Sequence, residues 1–195
     1  MIGLIEYGAG NTASVANALT GIGAEYIITN KEQEIVNCDK IIFPGVGEAS
    51  SAVKKLHLLN LFNFFRLVKK PMLGICLGMH LFCDKSDEGN VSCLGILPTT
   101  VKKFDSEKVK VPHMGWNQVK ILKNNKLFAD INDEEYFYFA HSFYLPKNDY
   151  TIATAYYNED FCAALEIDNY YGVQFHPEKS GEAGTKLLKN FIELC

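Results

Sequence analysis

Apolar residues in the first half of this chain alternate between short continuous runs and longer stretches with helical spacing. Residues 2–5, Ile-Gly-Leu-Ile, read as a buried strand, and residues 14–22, with alanines for close packing, read as the helix after it. Tyr7-Gly8-Ala9-Gly10-Asn11 between them is a glycine-rich turn, and a lone Gly-x-Gly is weak evidence for a phosphate loop. Residues 25–29 and 40–43 supply two more short strands, the second broken sharply by Pro44-Gly45-Val46-Gly47. From 49 to 68, Leu56, Leu59, Phe62, Phe65 and Val68 recur three or four apart, which predicts one long amphipathic helix stopped before Pro71. A further run at 72–75 predicts a strand, and 77–84 is compatible with a helix behind it. Strands and helices in alternation imply a mostly parallel sheet with helices on both faces, and ligands collect at the carboxyl ends of such strands.

Beyond about residue 90 the pattern turns β-like, with runs at 100–104, 118–122, 136–140, 151–157, 162–167 and 170–175 and little helix between them. Residues 84–90 and 123–126 read as surface loops. A closing segment, 184–194, carries Leu187, Leu188, Phe191 and Ile192 on one side and should pack back on the sheet. The expected architecture is α/β: a single three-layer domain over 1–195, with a strand-rich second half. A length of 195 residues with 48% apolar content suits one core and would be cramped for two.

Charge and cysteine usage narrow the function classes. The net charge is −4, with Lys and Glu scattered rather than gathered into a basic stripe, which argues against a nucleic-acid partner. No apolar run reaches the roughly 18 residues of a membrane span, and no basic leader precedes the N-terminal apolar residues. A soluble, cytoplasmic protein is expected. Six cysteines at irregular spacing, without a Cys-x-x-Cys pair, suggest neither a disulfide framework nor a zinc site.

Cys76 alone has the local sequence of a reactive thiol. It sits in Gly74-Ile75-Cys76-Leu77-Gly78 at a strand-to-helix turn, where flanking glycines let neighbouring backbone pass closely and the helix N-terminus favours thiolate. His176-Pro177-Glu178 follows another apolar run. Sulfur as nucleophile, imidazole as proton shuttle and carboxylate as orienting group form a Cys-His-Glu triad. Pro44-Gly45-Val46-Gly47 reads either as a plain turn or as a source of N–H groups that join that of Leu77 in an oxyanion hole. His80, one helical turn after Cys76, and His141-Ser142-Phe143, after the aromatic run 136–139, are candidates to line the substrate pocket. Trp116, the only tryptophan, is either core or, in a loop with Pro, Gly and Asn, the anchor of a protein contact. No metal or cofactor is expected.

These motifs together resemble the triad (class I) glutamine amidotransferases over nearly the whole chain. The triad motifs are shared by the class. Pro44-Gly45-Val46-Gly47 and Pro112-His113-Met114-Gly115-Trp116-Asn117 are narrower and are similar to the glutaminase subfamily that works with the cyclase subunit of imidazole glycerol phosphate synthase in histidine biosynthesis. The resemblance implies that Cys76, His176 and Glu178 hydrolyse L-glutamine. It also implies that Gly45, Val46 and Gly47 form an oxyanion strand under the partner's control. Ammonia would pass to the cyclase subunit of a heterodimer across a face that holds Asn11, Pro112, His113, Met114, Gly115, Trp116, Asn117 and Lys179. A paralogous amidotransferase serving a related synthase is the alternative. Two positions depart from the family: His80 stands where Gln usually helps hold the substrate, and Thr12-Ala13 replaces a frequent Leu-Arg.

Overall fold

The computed structural model describes residues 1–8 and 10–195; Ala9 of the glycine-rich turn lies outside the described residues. The chain opens with β1 (Ile2–Ile5), α1 (Thr12–Gly21), β2 (Tyr26–Thr29), a short α2 (Glu32–Val36) that the hydrophobic pattern did not announce, and β3 (Lys40–Gly45). Two helices follow, α3 (Ala49–Leu58) and α4 (Phe62–Leu67), where the periodicity predicted one. The break is a helix-ending turn: Asn60 takes φ 58°, its N–H donates to the His57 carbonyl, and the Leu61 N–H donates to the Leu56 carbonyl. Leu56 and Leu61 pack together beneath the turn, so the apolar spacing continues across a helix end.

Next come β4 (Met72–Cys76) and α5 (Leu77–His80). The helix expected over 77–84 is a single turn, because Leu81 and Phe82 lead into β5 (Cys83–Ser86), inside the segment read as a surface loop from residue 84. The remaining strands and α-helix are β6 (Val91–Ser92), β7 (Leu97–Lys103), β8 (His113–Ile121), β9 (Glu135–His141), β10 (Phe143–Tyr144), β11 (Thr151–Tyr157), β12 (Glu159–Ile167), β13 (Tyr170–Val173) and α6 (Gly181–Leu194), with short 3-10 turns at Lys126–Phe128 and Pro177–Lys179.

Nine strands form one sheet in the order β2-β1-β3-β4-β13-β12-β11-β8-β9. Pairing is parallel from β2 through β13, and the strand-rich second half extends the sheet antiparallel. A small sheet, β10-β7-β5-β6, lies apart from it. One face of the large sheet is covered by Val15 and Leu19 of α1 and Leu187, Leu188 and Phe191 of α6. The other is covered by α3 and α4 through Ala52, Leu56 and Phe65. Burying each such Leu or Phe contributes about 1.5–3 kcal/mol, which is what holds the layers together. Lys40, at the start of β3, donates to the carbonyls of Phe191, Ile192 and Cys195 and so ties the C-terminal end of α6 to the sheet.

Pro44 does not break β3, contrary to expectation. β1 pairs with β3 only as far as Ile42, so Pro44 has a strand on one side alone, where its missing N–H costs no ladder bond, and the pairing with β4 runs on to Gly45 opposite Cys76. Among the described residues no helix is long and apolar enough to cross a membrane.

Candidate active site

Cys76 joins β4 to α5 with φ 53° and ψ −109°, backbone that a residue with a Cβ adopts only under strain. Two glycines permit the turn. A Cβ on Gly78 would lie 1.9 Å from the Phe43 carbonyl oxygen, and one on Gly74 would lie 2.7 Å from the backbone of Gly78. The helix behind Cys76 has four residues, too few for the sustained dipole expected to favour a thiolate, so the sulfur's charge depends on nearby side chains.

The register supplies them. β13 runs parallel to β4 with Val173 opposite Ile75, so the segments just beyond the two strand ends are neighbours. His176 Nδ1 donates to Glu178 Oε1 at 2.9 Å, both side chains almost wholly buried. Burial alone would push the imidazole toward its neutral form. The Cys76 sulfur, through charge and a hydrogen bond, and the Glu178 carboxylate outweigh it and raise the His176 pKa to about 10. Glu178 Oε2 is buried without a hydrogen-bond partner among the described residues, which leaves the imidazolium as the main compensation for its charge.

A clasp holds the loop bearing His176. The His176 N–H donates to the Tyr138 carbonyl at 2.8 Å, while Ser180 Oγ accepts from the Tyr138 N–H at 3.0 Å and donates to the His176 carbonyl at 2.6 Å. Ser180 stands at the N-cap of α6 without capping it, so its place before a helix gave no sign of this task.

Cys76 opens on a cavity of about 210 Å³. The cavity is smaller than the roughly 300–1,000 Å³ of sites for drug-sized ligands, and suits an amino acid. Val46, Gly47, Leu77, His80, His141, Ser142 and Phe143, all expected near substrate, line it, and Pro112 and Met114 reach its mouth from β8 and the turn before it. Gly45 lies beneath the wall, where a Cβ would meet the Gly78 nitrogen and the Tyr7 hydroxyl. That hydroxyl is buried and unpartnered among the described residues, and its pKa is raised by burial and then by the charge of Cys76.

Besides Ser180, three lining or supporting groups were not foreseen. Glu88, from the stretch read as a surface loop, lines the cavity and accepts from the Ala49 N–H at 3.1 Å; burial pushes its carboxyl pKa up. Gln174 is fully buried between His80 and Cys76: His80 Nε2 lies 2.7 Å from its Oε1, and its Nε2 donates to Cys76 Sγ at 3.7 Å. Tyr138, named only as part of an aromatic run, supplies the clasp.

The expected partner face divides. Met114 and Trp116 are 63% and 55% exposed, on a strand and not in a loop, and Pro112 and Lys179 are exposed with them. Trp116 meets the Tyr138 ring edge-on, and Lys179 Nζ lies 5.8 Å over the same ring. His113 is buried, a correction to its place on this face. Alternation along β8 turns it inward, where it stacks on Tyr157 and Phe139, and its Nδ1 lies 2.9 Å from His141 Nε2. Asn117 and Gly115 are half-buried, Asn117 donating to the Tyr156 carbonyl; Asn11, also half-buried, accepts from the Ser14 hydroxyl.

A strained cysteine turn at the carboxyl edge of a parallel strand, with a buried His-Glu pair on the next strand's end, is the layout of a thiol-dependent amide hydrolase. Residues 3–194 match the family described as Glutamine amidotransferase class-I, and the chain belongs to that family. Its relatives include the imidazole glycerol phosphate synthase subunit HisH of Bacteroides fragilis, 48% identical over 195 residues, with 99% of each chain covered. The protein of the same name from Vibrio parahaemolyticus is 46% identical over 197 residues, covering 98% of this chain and 97% of that one. A solved glutamine amidotransferase shares the fold with a TM-score of 0.76 at 15% identity, over 99% of this chain and 97% of that one.

Proposed function

We propose that this chain is a glutaminase subunit that hydrolyses L-glutamine to glutamate and passes the ammonia to a cyclase subunit. The cyclase makes imidazole glycerol phosphate and aminoimidazole carboxamide ribotide in the cytoplasmic pathway of histidine biosynthesis. The observation that carries the reading is the buried Cys76, His176, Glu178 set beside a cavity of amino-acid size. The names of relatives nearly half identical along the whole chain support the choice of pathway.

The Cys76 thiolate attacks the side-chain carbonyl carbon of glutamine, and the negative charge moves to the oxygen. The N–H of Leu77 and N–H groups of Val46 and Gly47 donate to that oxygen, one such donor being worth about 3 kcal/mol in the transition state. The His176 imidazolium gives its proton to the departing nitrogen, ammonia leaves, and a thioester forms. Water then attacks the thioester, His176 takes a proton from it, and glutamate departs to restore the pair. Glu178 keeps the ring oriented throughout. Glu88 is placed to receive the substrate's α-ammonium. Met114 belongs both to the mouth of the cavity and to the exposed apolar face, so a partner docked there would sit where ammonia emerges. Cys76→Ala should abolish glutamate release by the purified protein, measured with and without the cyclase subunit. A sizeable residual rate would remove Cys76 from the nucleophile's role.

A further inference from the structure

Among the buried groups with no part in that chemistry, Gln174 is the one that touches the sulfur from its side chain's nitrogen. Gln174 has no solvent exposure, and its carboxamide bridges His80 and Cys76, at 2.7 Å on the oxygen side and 3.7 Å on the nitrogen side. We propose that Gln174 donates a hydrogen bond to the Cys76 thiolate, and that His80 is the positioning residue that fixes which way the amide of Gln174 faces.

A carboxamide can rotate by half a turn and present oxygen or NH2 to the same neighbour, and the surroundings select one arrangement. Oxygen toward a thiolate would set two electron-rich atoms against each other. A neutral His80 with its proton on Nε2 donates to Oε1 and holds that oxygen away from the sulfur, which leaves NH2 facing it. His80 is buried, and its pKa is pushed down to about 4 by burial against the opposing effect of the Gln174 bond, which keeps the ring neutral. The titratable groups that face the sulfur are His176 beyond β13 and Tyr7 beyond β1, with His80 of α5 behind Gln174 and Glu88 and His141 lining the same cavity. Of these only His176 carries positive charge, so the neutral donor adds to it. His80 thus acts through Gln174, and its imidazole is committed to that bond although it also lines the cavity.

This inference rests on Cys76 being the glutaminase nucleophile, but its test needs neither glutamine nor partner. The rate of Cys76 alkylation by iodoacetamide, read by peptide mass spectrometry across a pH series, reports the apparent pKa of that thiol. Gln174→Met should raise it, with about tenfold less thiolate at pH values below the pKa, the effect of losing one hydrogen bond to a charged group. His80→Leu should raise it in the same direction, and His80→Gln, which restores a donor toward Oε1, should return it toward the starting value. An unchanged profile in Gln174→Met overturns the donor. Should that variant fail to fold, equal profiles for His80→Leu and the unaltered protein overturn the proposal instead. Glutamate release measured separately keeps a failure of the proposed activity distinct from either result.

Discussion

Four of the five histidines are buried, and their surroundings drive them to opposite charge states. His80 and His113 are pushed down to about 4, and His141 well below its ordinary value, in each case chiefly by burial. Unfolded, each would take up a proton near pH 6.5, so the unfolded chain binds more protons than the folded one between about 4 and 6.5, and stability is lost as pH falls through that window. His176 runs the other way. Its pKa is raised, so its share of stability is complete below about 6.5 and is lost as pH climbs through about 10. We predict that the urea midpoint falls between pH 7 and pH 5, at a limit of about 1.4 kcal/mol per pH unit for each histidine held neutral. His80→Gln should show a smaller fall; an equal one would mean that His80 is protonated in the folded protein at pH 5.

Among the elements, β9 matters most to the site although none of the three triad residues lies on it. Its Tyr138 backbone and the Ser180 hydroxyl grip the His176 loop, while the Tyr138 ring meets Trp116 and Lys179 on the outside. One strand therefore touches both the catalytic loop and the exposed face. Ser180→Ala leaves the Tyr138 N–H without its partner, at about 1–3 kcal/mol for an unsatisfied group, and frees the His176 carbonyl from one of its two donors, the Lys179 N–H remaining. Chemical denaturation should register that loss, and kcat for glutamate release should fall by roughly tenfold to a hundredfold as the imidazole loses its position. An unchanged kcat in a destabilised protein would confine Ser180 to the fold.

For the molecule as a whole, the proposed cyclase contact lies where Met114 and Trp116 stand exposed beside the cavity mouth. A buried tryptophan at the centre of an interface is worth about 2 kcal/mol or more. Trp116→Ala should weaken binding to the cyclase subunit by that amount in calorimetric titration, or uncouple glutaminase from synthase turnover, while the circular dichroism spectrum stays unchanged. Full affinity with full coupling would place the contact elsewhere.

The alternation of strands and helices in the first half, the strand-rich second half, the cysteine turn and the His-Pro-Glu segment were legible in the sequence because each depends on local chemistry: apolar period, glycine at a tight approach, residue types at a short spacing. The helix break at Asn60, the single turn of α5 and the unbroken β3 were not, since each turns on what the neighbouring strand or turn accepts. The family resemblance put His113 on the partner face with the rest of its motif, and strand alternation, set only once β8 paired with β9, sent it inward. Gln174, Glu88 and Ser180 carried no sequence signal of their own. Their roles come from which atoms sheet register brings within hydrogen-bonding distance, and register is fixed by long-range packing of layers, a property of the whole fold and not of any segment.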